Sequence, residues 1–384
     1  MRGPPAKPTL LIVGMGDTGI LTAAHVSRRF RIVALGTKPA LVSGQELGMR
    51  VTQPEIWQRE YLVDLKRFQG LSDVECVHGK AQNVDLERQT VSAQLATGQH
   101  IDIAWDYLVI ATGIRNGFWR DDDVCDMNTV EAKLNRQRRT LTDAKHICIV
   151  GGGPSGTNLA LNLARNYRDK RIDFVFSGPM PLPRYHPKTQ TYHMRLLNRE
   201  PNLTVHPNRR AILPEPEQRA SLWGRRVIFE GAHPPIDADA VVWTTGTLSP
   251  HTEFLPRSFC TEAGYVRTDE FLRVEGQQRI FAIGDVADTD PLRCSARNWA
   301  YKLLAQNLEA TLDADLHGLK PFKPPAYRWG STVGLQSYGL DIHQANGGRY
   351  RLWRWVVKRL LFPLAVRRFI YRGIEGEKSS ELVR

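Results

Sequence analysis

Two glycine-rich turns are the features of this sequence whose residue types and spacing point most directly to chemistry. The first is Gly14-Met-Gly16-Asp-Thr-Gly19, and the second is Gly151-Gly-Gly153-Pro-Ser-Gly156. In each turn the first glycine makes a tight bend, the second lets the backbone approach a pyrophosphate, and the third lets helix and strand pack closely. The N-terminus of the following helix would face the negative charge. The sequence therefore predicts two dinucleotide-binding sites.

Each turn lies between an apolar strand and a helix, which is the context that dinucleotide binding requires. The two units read as strand, helix and strand at 10–13, 20–30 and 31–35, and again at 146–150, 157–167 and 172–176. A single Gly-x-Gly-x-x-Gly also occurs in ordinary tight turns, but two copies in the same context favour two Rossmann-like folds. The predicted fold class is α/β.

Three further strands end in residues that suit a cofactor site. Two of them end in Thr112-Gly113 and Thr245-Gly246, short turns at which a chain can leave one domain for another. The third ends in Gly284-Asp285 and precedes a helix predicted at 292–312, whose N-terminus would face an electron-rich ring.

Composition and missing motifs exclude several other classes of protein. With 384 residues, 42% of them hydrophobic and 24% charged, the chain is typical of a globular protein with more than one domain. We expect no membrane-spanning helix and no export signal, and therefore a cytoplasmic protein. No C-x-x-C, Walker A or Gly-x-Ser-x-Gly motif occurs, so an internal redox dithiol, a kinase and a hydrolase are not expected. The scattered histidines predict no metal site.

The positive charge is concentrated near the C-terminus. The net charge is +12, and the segment from Arg349 to Arg372 contains eight cations and no acid. Because the rest of the chain is nearly neutral, we expect no nucleic-acid partner. Aromatic and aliphatic residues alternate with these cations at helical spacing, which predicts an amphipathic helix, kinked or divided at Pro363, on an anionic membrane surface. A helix packed on the protein body is the alternative.

Taken in order, these motifs resemble those of the pyridine nucleotide-disulfide oxidoreductase superfamily of two-dinucleotide flavoproteins. The most similar branch contains apoptosis-inducing-factor-like proteins, ferroptosis suppressors and type II NADH dehydrogenases. This branch lacks a redox cysteine pair, and the stretch Thr332-Val-Gly-Leu-Gln-Ser-Tyr-Gly and the basic aromatic tail are the more particular points of similarity. The resemblance implies a discontinuous FAD domain at 8–117 and 247–320, an inserted NAD(P)H domain at 118–246, and a C-terminal segment at 321–384.

The resemblance also assigns the two glycine turns to two cofactors. The FAD residues that it implies are Gly14, Gly16, Asp17, Thr18, Gly19, Lys38, Ala81, Ala111, Thr112, Gly113, Gly284, Asp285 and Arg293. The NAD(P)H residues that it implies are Gly151, Gly153, Pro154, Ser155, Gly156, Asn158, Ser177, Thr245 and Gly246. Asp285 would hold the ribityl chain of FAD, with Lys38 and Ala81 near the adenosine.

Three residues depart from the family's pattern. Gly36 stands where an acid usually holds the adenosine ribose, so FAD would have one hydrogen bond fewer. Asn158 stands where many relatives carry a glutamate near the nicotinamide. Arg293 is expected beside the flavin N1 and C2 carbonyl, and a solvent-facing arginine is the alternative.

The end of the second fold's second strand bears on the choice of nucleotide. Ser177 stands there instead of an acid that would bond a ribose 2′-hydroxyl, and Arg184 and Lys188 follow. We therefore expect NADPH to be used at least as well as NADH.

The expected function is an FAD-dependent oxidoreductase. It would transfer hydride from NAD(P)H to the flavin and then pass electrons to a quinone or a similar acceptor, at a membrane surface. No single catalytic side chain is assigned. Two alternatives stay open: a reductase of a soluble redox protein or metabolite, and a degenerate dinucleotide-binding protein without useful turnover, which Gly36 and Asn158 would favour.

Overall fold

The computed structural model describes residues 7–375, apart from 220–221, 223–225, 247–248, 295 and 297. Its strands are β1 (Thr9–Val13), β2 (Arg31–Gly36), β3 (Ala40–Val42), β4 (Leu62–Asp64), β5 (Val74–Asp85), β6 (Thr90–Leu95), β7 (His100–Ala104), β8 (Tyr107–Ile110), β9 (Ile114–Arg115), β10 (His146–Val150), β11 (Arg171–Val175), β12 (Leu203–His206), β13 (Arg226–Val227), β14 (Ile236–Asp237), β15 (Ala240–Trp243), β16 (Ser249–Pro250), β17 (Ile280–Ala282), β18 (Gly339–His343) and β19 (Arg349–Trp353). Its helices are α1 (Asp17–His25), α2 (Leu47–Thr52), α3 (Pro54–Tyr61), α4 (Met127–Asp143), α5 (Pro154–Asn166), α6 (Pro187–Leu197), α7 (Pro216–Arg219), α8 (Ala300–Leu312) and α9 (Arg354–Val356), which continues as a π-helix over Val357–Ile370.

The larger sheet has seven strands in the order β17-β8-β1-β2-β5-β6-β7. The first five pair in parallel, and β6 and β7 extend the sheet as antiparallel strands. Residues 10–12 of the central strand β1 are fully buried, because α1 and α8 cover one face of the sheet and residues from 254 to 287 cover the other. Burial on both faces explains why β1 is a continuous apolar run.

The second sheet has four parallel strands in the order β12-β11-β10-β15. Helix α5 packs on it through leucines and alanines that share a buried cluster with Ile147 and Ile149 of β10. The predicted fold class, α/β with two Rossmann-like units, is confirmed. Helices α1 and α5 begin at Asp17 and Pro154, three residues earlier than expected, because the last residues of each turn already belong to the helix.

The chain passes between the two sheets twice, and the two passages pair with each other. Strands β9 and β16 form a short antiparallel pair. Beside them, the Thr112 hydroxyl donates to the His251 carbonyl over 2.7 Å. The four-stranded sheet lies between these passages in the sequence, so the seven-stranded sheet is assembled from two separate stretches of chain.

Two helices predicted near the C-terminus begin later than expected. Helix α8 begins at Ala300 instead of 292, because Arg293 and Trp299 have φ values of 55° and 59°, which a right-handed helix does not allow. Residues 349–353 are the strand β19, not a helix, and they pair with β18. Arg349 and Arg351 donate to Asp341 of β18 over 3.1 and 2.8 Å.

The helix that follows β19 is packed against the body on one side, as the alternative prediction had it. Val357 and Phe362 are buried in a cluster with Trp57 and Leu340. The helix continues through Pro363 to Ile370, and Tyr371 just after it is buried in the main core. Among the described residues, no helix combines the length and the apolar character needed to cross a membrane.

Candidate functional site

The first glycine turn forms because its backbone leaves no room for side chains. Gly14 has a φ of +109°, and a Cβ added there would lie 2.6 Å from the Thr112 nitrogen. A Cβ on Gly19 would collide with the Gly14 carbonyl, whereas the space around Gly16 is open. Gly16 is the N-cap of α1, and no described side chain caps this helix. The N–H groups at the start of α1 are therefore available to an anion such as a pyrophosphate.

The second turn repeats this geometry. Gly151 has a φ of +120°, and a Cβ there would lie 2.5 Å from the Thr244 carbonyl carbon. Gly153, the N-cap of α5, has φ and ψ of −71° and −179°, close to the −81° and −170° of Gly16. Pro154 occupies the first turn of α5, where its missing N–H removes no helical hydrogen bond.

In each fold, one residue of the turn complements in size the residue at the carboxyl end of the second strand, which is Gly36 in β2 and Phe176 just after β11. A Cβ on Gly36 would lie 2.8 Å from the Met15 Cβ, and a Cβ on Gly152 would lie 2.8 Å from the Phe176 Cβ. Each fold thus pairs one large residue with a glycine, in opposite order. The lack of an acid at Gly36 follows from Met15, because a side chain at 36 has no space beside it.

A cavity of about 730 Å³ opens beside the first turn, a volume within the range of cofactor sites. It brings together residues from several distant stretches of sequence. Of the thirteen residues that the resemblance assigned to FAD, all except Gly19 line this cavity, and Gly19 lies behind the turn. The predicted lining residues are Gly14, Gly16, Asp17, Thr18, Lys38, Ala81, Ala111, Thr112, Gly113, Gly284, Asp285 and Arg293.

Arg120 is a lining residue that the sequence analysis missed. Its Nη1 donates to Asp285 Oδ2 over 2.6 Å, and Gly44 leaves the space that its guanidinium fills. The buried side chains of Phe118 and Trp119 fix the preceding turn. No local motif marks Arg120, because only the tertiary structure brings it to Asp285.

Asp121 and Asp122 were also missed, since three successive acids suggest only a polar loop. Lys38 Nζ lies 3.0 Å from Asp121 Oδ1, and Arg115 Nη2 lies 2.7 Å from Asp122 Oδ1. Lys80 also pairs with Asp122. Burial raises the pKa of the Asp122 carboxyl, but the hydrogen bonds from Lys80 and Arg115 hold that pKa well below its usual range. The residues of these ion pairs all line the cavity.

Asp17, in the first turn of α1, is held by two distant residues. The Tyr371 hydroxyl donates to Oδ1 over 2.9 Å, and the Ser43 hydroxyl donates to Oδ2 over 3.0 Å. Burial raises the pKa of Asp17, although both hydrogen bonds oppose the rise.

Arg293 lines the cavity and is held by the main chain instead of facing solvent. Its Nη1 donates to the carbonyls of Asp285 and Ala287 over 2.9 and 2.6 Å. Its guanidinium lies 3.7 Å from the ring centre of Tyr265. A contact between Arg293 and the flavin stays a prediction.

Asn158 joins three parts of the chain. Its Oδ1 accepts from the Gly48 nitrogen over 2.5 Å, and its Nδ2 donates to Glu46 Oε2 and the Thr332 carbonyl over 2.7 and 2.9 Å. The side chain is buried, and these three bonds occupy its oxygen and both of its N–H groups. Direct contact with NAD(P)H stays a prediction, and donation from Nδ2 to the nucleotide would require one of its two bonds to break.

The other residues assigned to NAD(P)H lie around the second turn. Thr244, which the sequence analysis passed over in favour of Thr245, donates its hydroxyl to the Gly151 carbonyl over 2.9 Å. Gly246 has a φ of +74° at the return passage. Ser177 is exposed after β11, while Arg184 donates to the Pro291 carbonyl.

Comparison with known proteins agrees with this arrangement. A family model described as pyridine nucleotide-disulphide oxidoreductase matches residues 8–305. Oxidoreductase ptaL of Pestalotiopsis fici is 27% identical over 308 residues, covering 77% of each chain. Ferroptosis suppressor protein 1 of Xenopus tropicalis is 21% identical over 345 residues, covering 88% of each. The structure of NDH2 from Plasmodium falciparum in complex with NADH superposes with a TM-score of 0.66 at 14% identity, covering 96% of this chain and 97% of that one.

Proposed function

Since the chain belongs to the pyridine nucleotide-disulphide oxidoreductase family, we propose that it oxidises NAD(P)H and reduces a quinone-like acceptor at a membrane surface. The coarser activity, an FAD- and NAD(P)H-dependent oxidoreductase, follows from the family. The overall reaction converts NAD(P)H, one proton and a quinone into NAD(P)⁺ and a quinol. Bound FAD would accept the hydride as an electron pair and release electrons to the quinone.

The cavity fits FAD by its own geometry. Open space around Gly16 lies at an uncapped helix N-terminus, as a pyrophosphate requires. Arg120 supplies a cation to the lining of the cavity, and Asp285 and Lys38 add further polar groups. These residues would thus hold and orient FAD, and the second glycine turn would bind NAD(P)H.

One observation carries the membrane part of the proposal. The helix over 354–370, called the tail helix below, is basic, largely exposed on one side, and connected to the cavity. Its exposed apolar side chains include Trp355, 63% exposed, and Phe369, 68% exposed, and Trp353 at the end of β19 just before the helix is also 63% exposed. Of the eight cations in the tail, Asp341 and Glu60 pair with three; the other five have no carboxylate partner in the described part of the chain. The same segment ends at Tyr371, which bonds Asp17 at the cavity.

Gly36 and Asn158, the two residues that would favour a degenerate binding protein, are both accounted for by packing. Gly36 is required by Met15, whose side chain fills the adjacent space. Asn158 ties the second fold to its neighbours through buried hydrogen bonds. Neither residue argues against turnover.

Steady-state oxidation of NADH and NADPH tests the proposal. The acceptors are a short-chain quinone in solution and a long-chain quinone in liposomes with and without anionic lipid. We expect both quinones to be reduced, NADPH to serve at least as well as NADH, and the long-chain quinone to depend on anionic lipid. If NAD(P)H fails to bleach the flavin absorbance, the enzymatic part is wrong. If only an acidic redox protein is reduced, the acceptor is soluble.

Point variants separate docking from catalysis. Deleting residues 349–384, which the sequence alone suggests, would remove buried Val357, Phe362 and Tyr371 and expose the core. The variant Trp353→Ser/Lys358→Gln/Arg359→Gln instead changes exposed residues only. Because each basic side chain near an anionic leaflet contributes about 1 kcal/mol, we expect at least about tenfold weaker liposome binding, with turnover of the short-chain quinone and flavin content kept. The control Ile212→Ser/Leu316→Ser changes exposed apolar residues elsewhere, and equal loss in both would contradict a docking role for the tail.

A further inference from the structure

A second cavity, of about 450 Å³, lies at the opposite end of α5 from the glycine turn. Arg165 of α5 is about 16 Å along the helix axis from Pro154, at about 1.5 Å per residue. The cavity therefore lies apart from the second dinucleotide turn. Four parts of the chain form its wall: Gln53 between α2 and α3, the end of α5 and the residues after it, residues 336–338, and Arg354 at the start of the tail helix.

The wall of this cavity is strongly cationic. It contains Arg165, Arg168 and Arg354, and no carboxylate among its described lining residues. The nearest acid behind it, Glu200, accepts from Arg165 Nε over 2.8 Å and from Arg168 Nη1 over 2.9 Å. One carboxylate thus serves two guanidinium groups, which leaves two positive charges uncompensated.

Several donors in the cavity remain open to a ligand. Arg165 uses Nε for Glu200 and Nη1 for Gln336, and it also hydrogen-bonds the Tyr338 side chain. Arg168 uses Nη1 for Glu200. A guanidinium has five N–H groups, so both arginines keep further donors. Arg354 is half-buried, and its guanidinium makes no hydrogen bond or ion pair to any described residue. The Ser337 side chain also lines the cavity and can donate one hydrogen bond.

We propose that this cavity binds a phosphate group. Guanidinium groups present paired N–H donors that match phosphate oxygens, and such charge-assisted bonds are stronger than neutral ones. A phosphate would also neutralise the two uncompensated charges. The site takes no part in hydride transfer, and the proposal stands whether or not the quinone assignment is correct.

The phosphate has two possible sources with the same chemistry. Trp353 and Trp355 flank Arg354 in the sequence and are 63% exposed, so a lipid headgroup could enter the cavity while the indoles contact the lipid. A free phosphate compound would make the same bonds to the arginines. Separate titrations distinguish the two sources.

The test is calorimetric titration of the full-length FAD-loaded protein with inorganic phosphate and, separately, with monomeric dihexanoyl phosphatidylglycerol. The cavity variant is Arg168→Gln/Arg354→Gln. The charge-matched control is Arg195→Gln/Arg257→Gln, which removes two exposed arginines outside the cavity. Both glycine turns are unchanged in both variants, so any phosphate bound at those turns cancels in the comparison. Melting curves in phosphate-free buffer verify that both variants fold.

We expect the cavity variant to bind at least one of the two probes about tenfold more weakly or worse, with the control within about twofold of the parent protein. Loss with the lipid alone would support the proposal and identify a headgroup; loss with inorganic phosphate alone would support it and identify a free compound; loss with both would support the shared chemistry. If neither probe binds, or if the cavity variant and the control bind equally, the proposal is overturned. Calorimetry measures phosphate binding and not quinone reduction, so a failure of this proposal can be distinguished from a failure of the proposed function.

Discussion

The Met15 side chain fills the space beside Gly36, and this space holds only one side chain. In the second fold the large residue is at the other position, because Phe176 after the strand fills the space beside Gly152 in the turn. The usual ribose-binding acid and a large second residue in the turn are therefore mutually exclusive in this geometry. The glycine at position 36 lets the Met15 side chain pack in the turn of the first fold, where it is only 6% exposed. With FAD in the cavity as proposed, the adenosine ribose would have one hydrogen bond fewer.

The first prediction concerns this pair. Gly36→Asp alone should destabilise the protein by about 1–3 kcal/mol, because the new side chain meets Met15 in a filled space. Adding Met15→Gly should recover much of that loss, so the two changes should couple by at least about 0.5 kcal/mol in a double-mutant cycle. Chemical denaturation of the four proteins measures the coupling. Additive effects would show that the two residues do not compete for space.

The second prediction concerns the Arg120–Asp285 pair. The two side chains are 28% and 22% exposed, so their mutual attraction contributes little to stability. Asp285→Ala should therefore leave the melting temperature of the FAD-free protein nearly unchanged. It should weaken FAD binding by about 1.5–3 kcal/mol, because a charge-assisted hydrogen bond to the cofactor is lost.

Titrating the FAD-free variants with FAD, followed by flavin fluorescence, checks this prediction. Arg120→Gln should weaken FAD binding in the same way, because the cavity loses a cation from its lining and Asp285 loses its partner. Arg279→Gln is a suitable control, since Arg279 stacks on Tyr107 outside the cavity. Unchanged FAD affinity in both Asp285→Ala and Arg120→Gln would remove these residues from the FAD site.

Residues fixed by local backbone geometry could be predicted, and residues brought in by tertiary structure could not. Gly14 and Gly151 follow from a motif, because the turn itself requires a positive φ. Thr112 and Asp285 follow from strand ends at the same edge of a parallel sheet. Arg120 and Tyr371 reach the cavity from distant positions without any local signal.

At the scale of elements, the sequence predicted best where both faces of an element are buried. Strands β1 and β10 are continuous apolar runs because buried clusters cover both faces of their sheets. The tail was harder, because residues 349–353 alternate as Arg-Tyr-Arg-Leu-Trp, a pattern of period two within a segment that otherwise suits a helix. The strand is stabilised by its pairing with β18 and by the ion pairs of Arg349 and Arg351 with Asp341.

The start of α8 shows a similar limit. A helix from 292 to 312 was consistent with residue preferences. Asp290 instead caps a separate turn by accepting from the Leu292 and Cys294 nitrogens, both over 2.9 Å. Arg293 and Trp299 then adopt positive φ values that delay the helix. Such positive φ values have no signature in the residue types, so the sequence alone could not place the start of this helix.

At the scale of the whole molecule, the second fold is fastened to the C-terminal segment through buried polar groups. Asn158 and Asn162 of α5 donate to the carbonyls of Thr332 and Val333. Nearby, His193 of α6 pairs with Thr332, and its ring centre lies 4.8 Å from that of His343 in β18. This junction depends on two buried histidines remaining neutral.

The last prediction follows from those histidines. Burial, the largest cause in each case, lowers the pKa of His193 to about 3 and that of His343 to about 4. In the unfolded chain a histidine has a pKa of about 6.5, so below that pH the unfolded state binds more protons than the native state. The free energy of unfolding should therefore be highest above about pH 6.5. It should fall by about 1.4 kcal/mol per pH unit for each histidine down to about pH 4. Asp341, whose pKa is lowered to about 2 because hydrogen bonds from Arg351 and Tyr192 outweigh its burial, adds to the loss only at lower pH.

Denaturant unfolding between pH 7.5 and 5 measures this slope. His343→Phe should reduce the slope by about one proton, whereas the exposed control His317→Phe should not; equal slopes for the parent and both variants would show that the junction is not proton-linked.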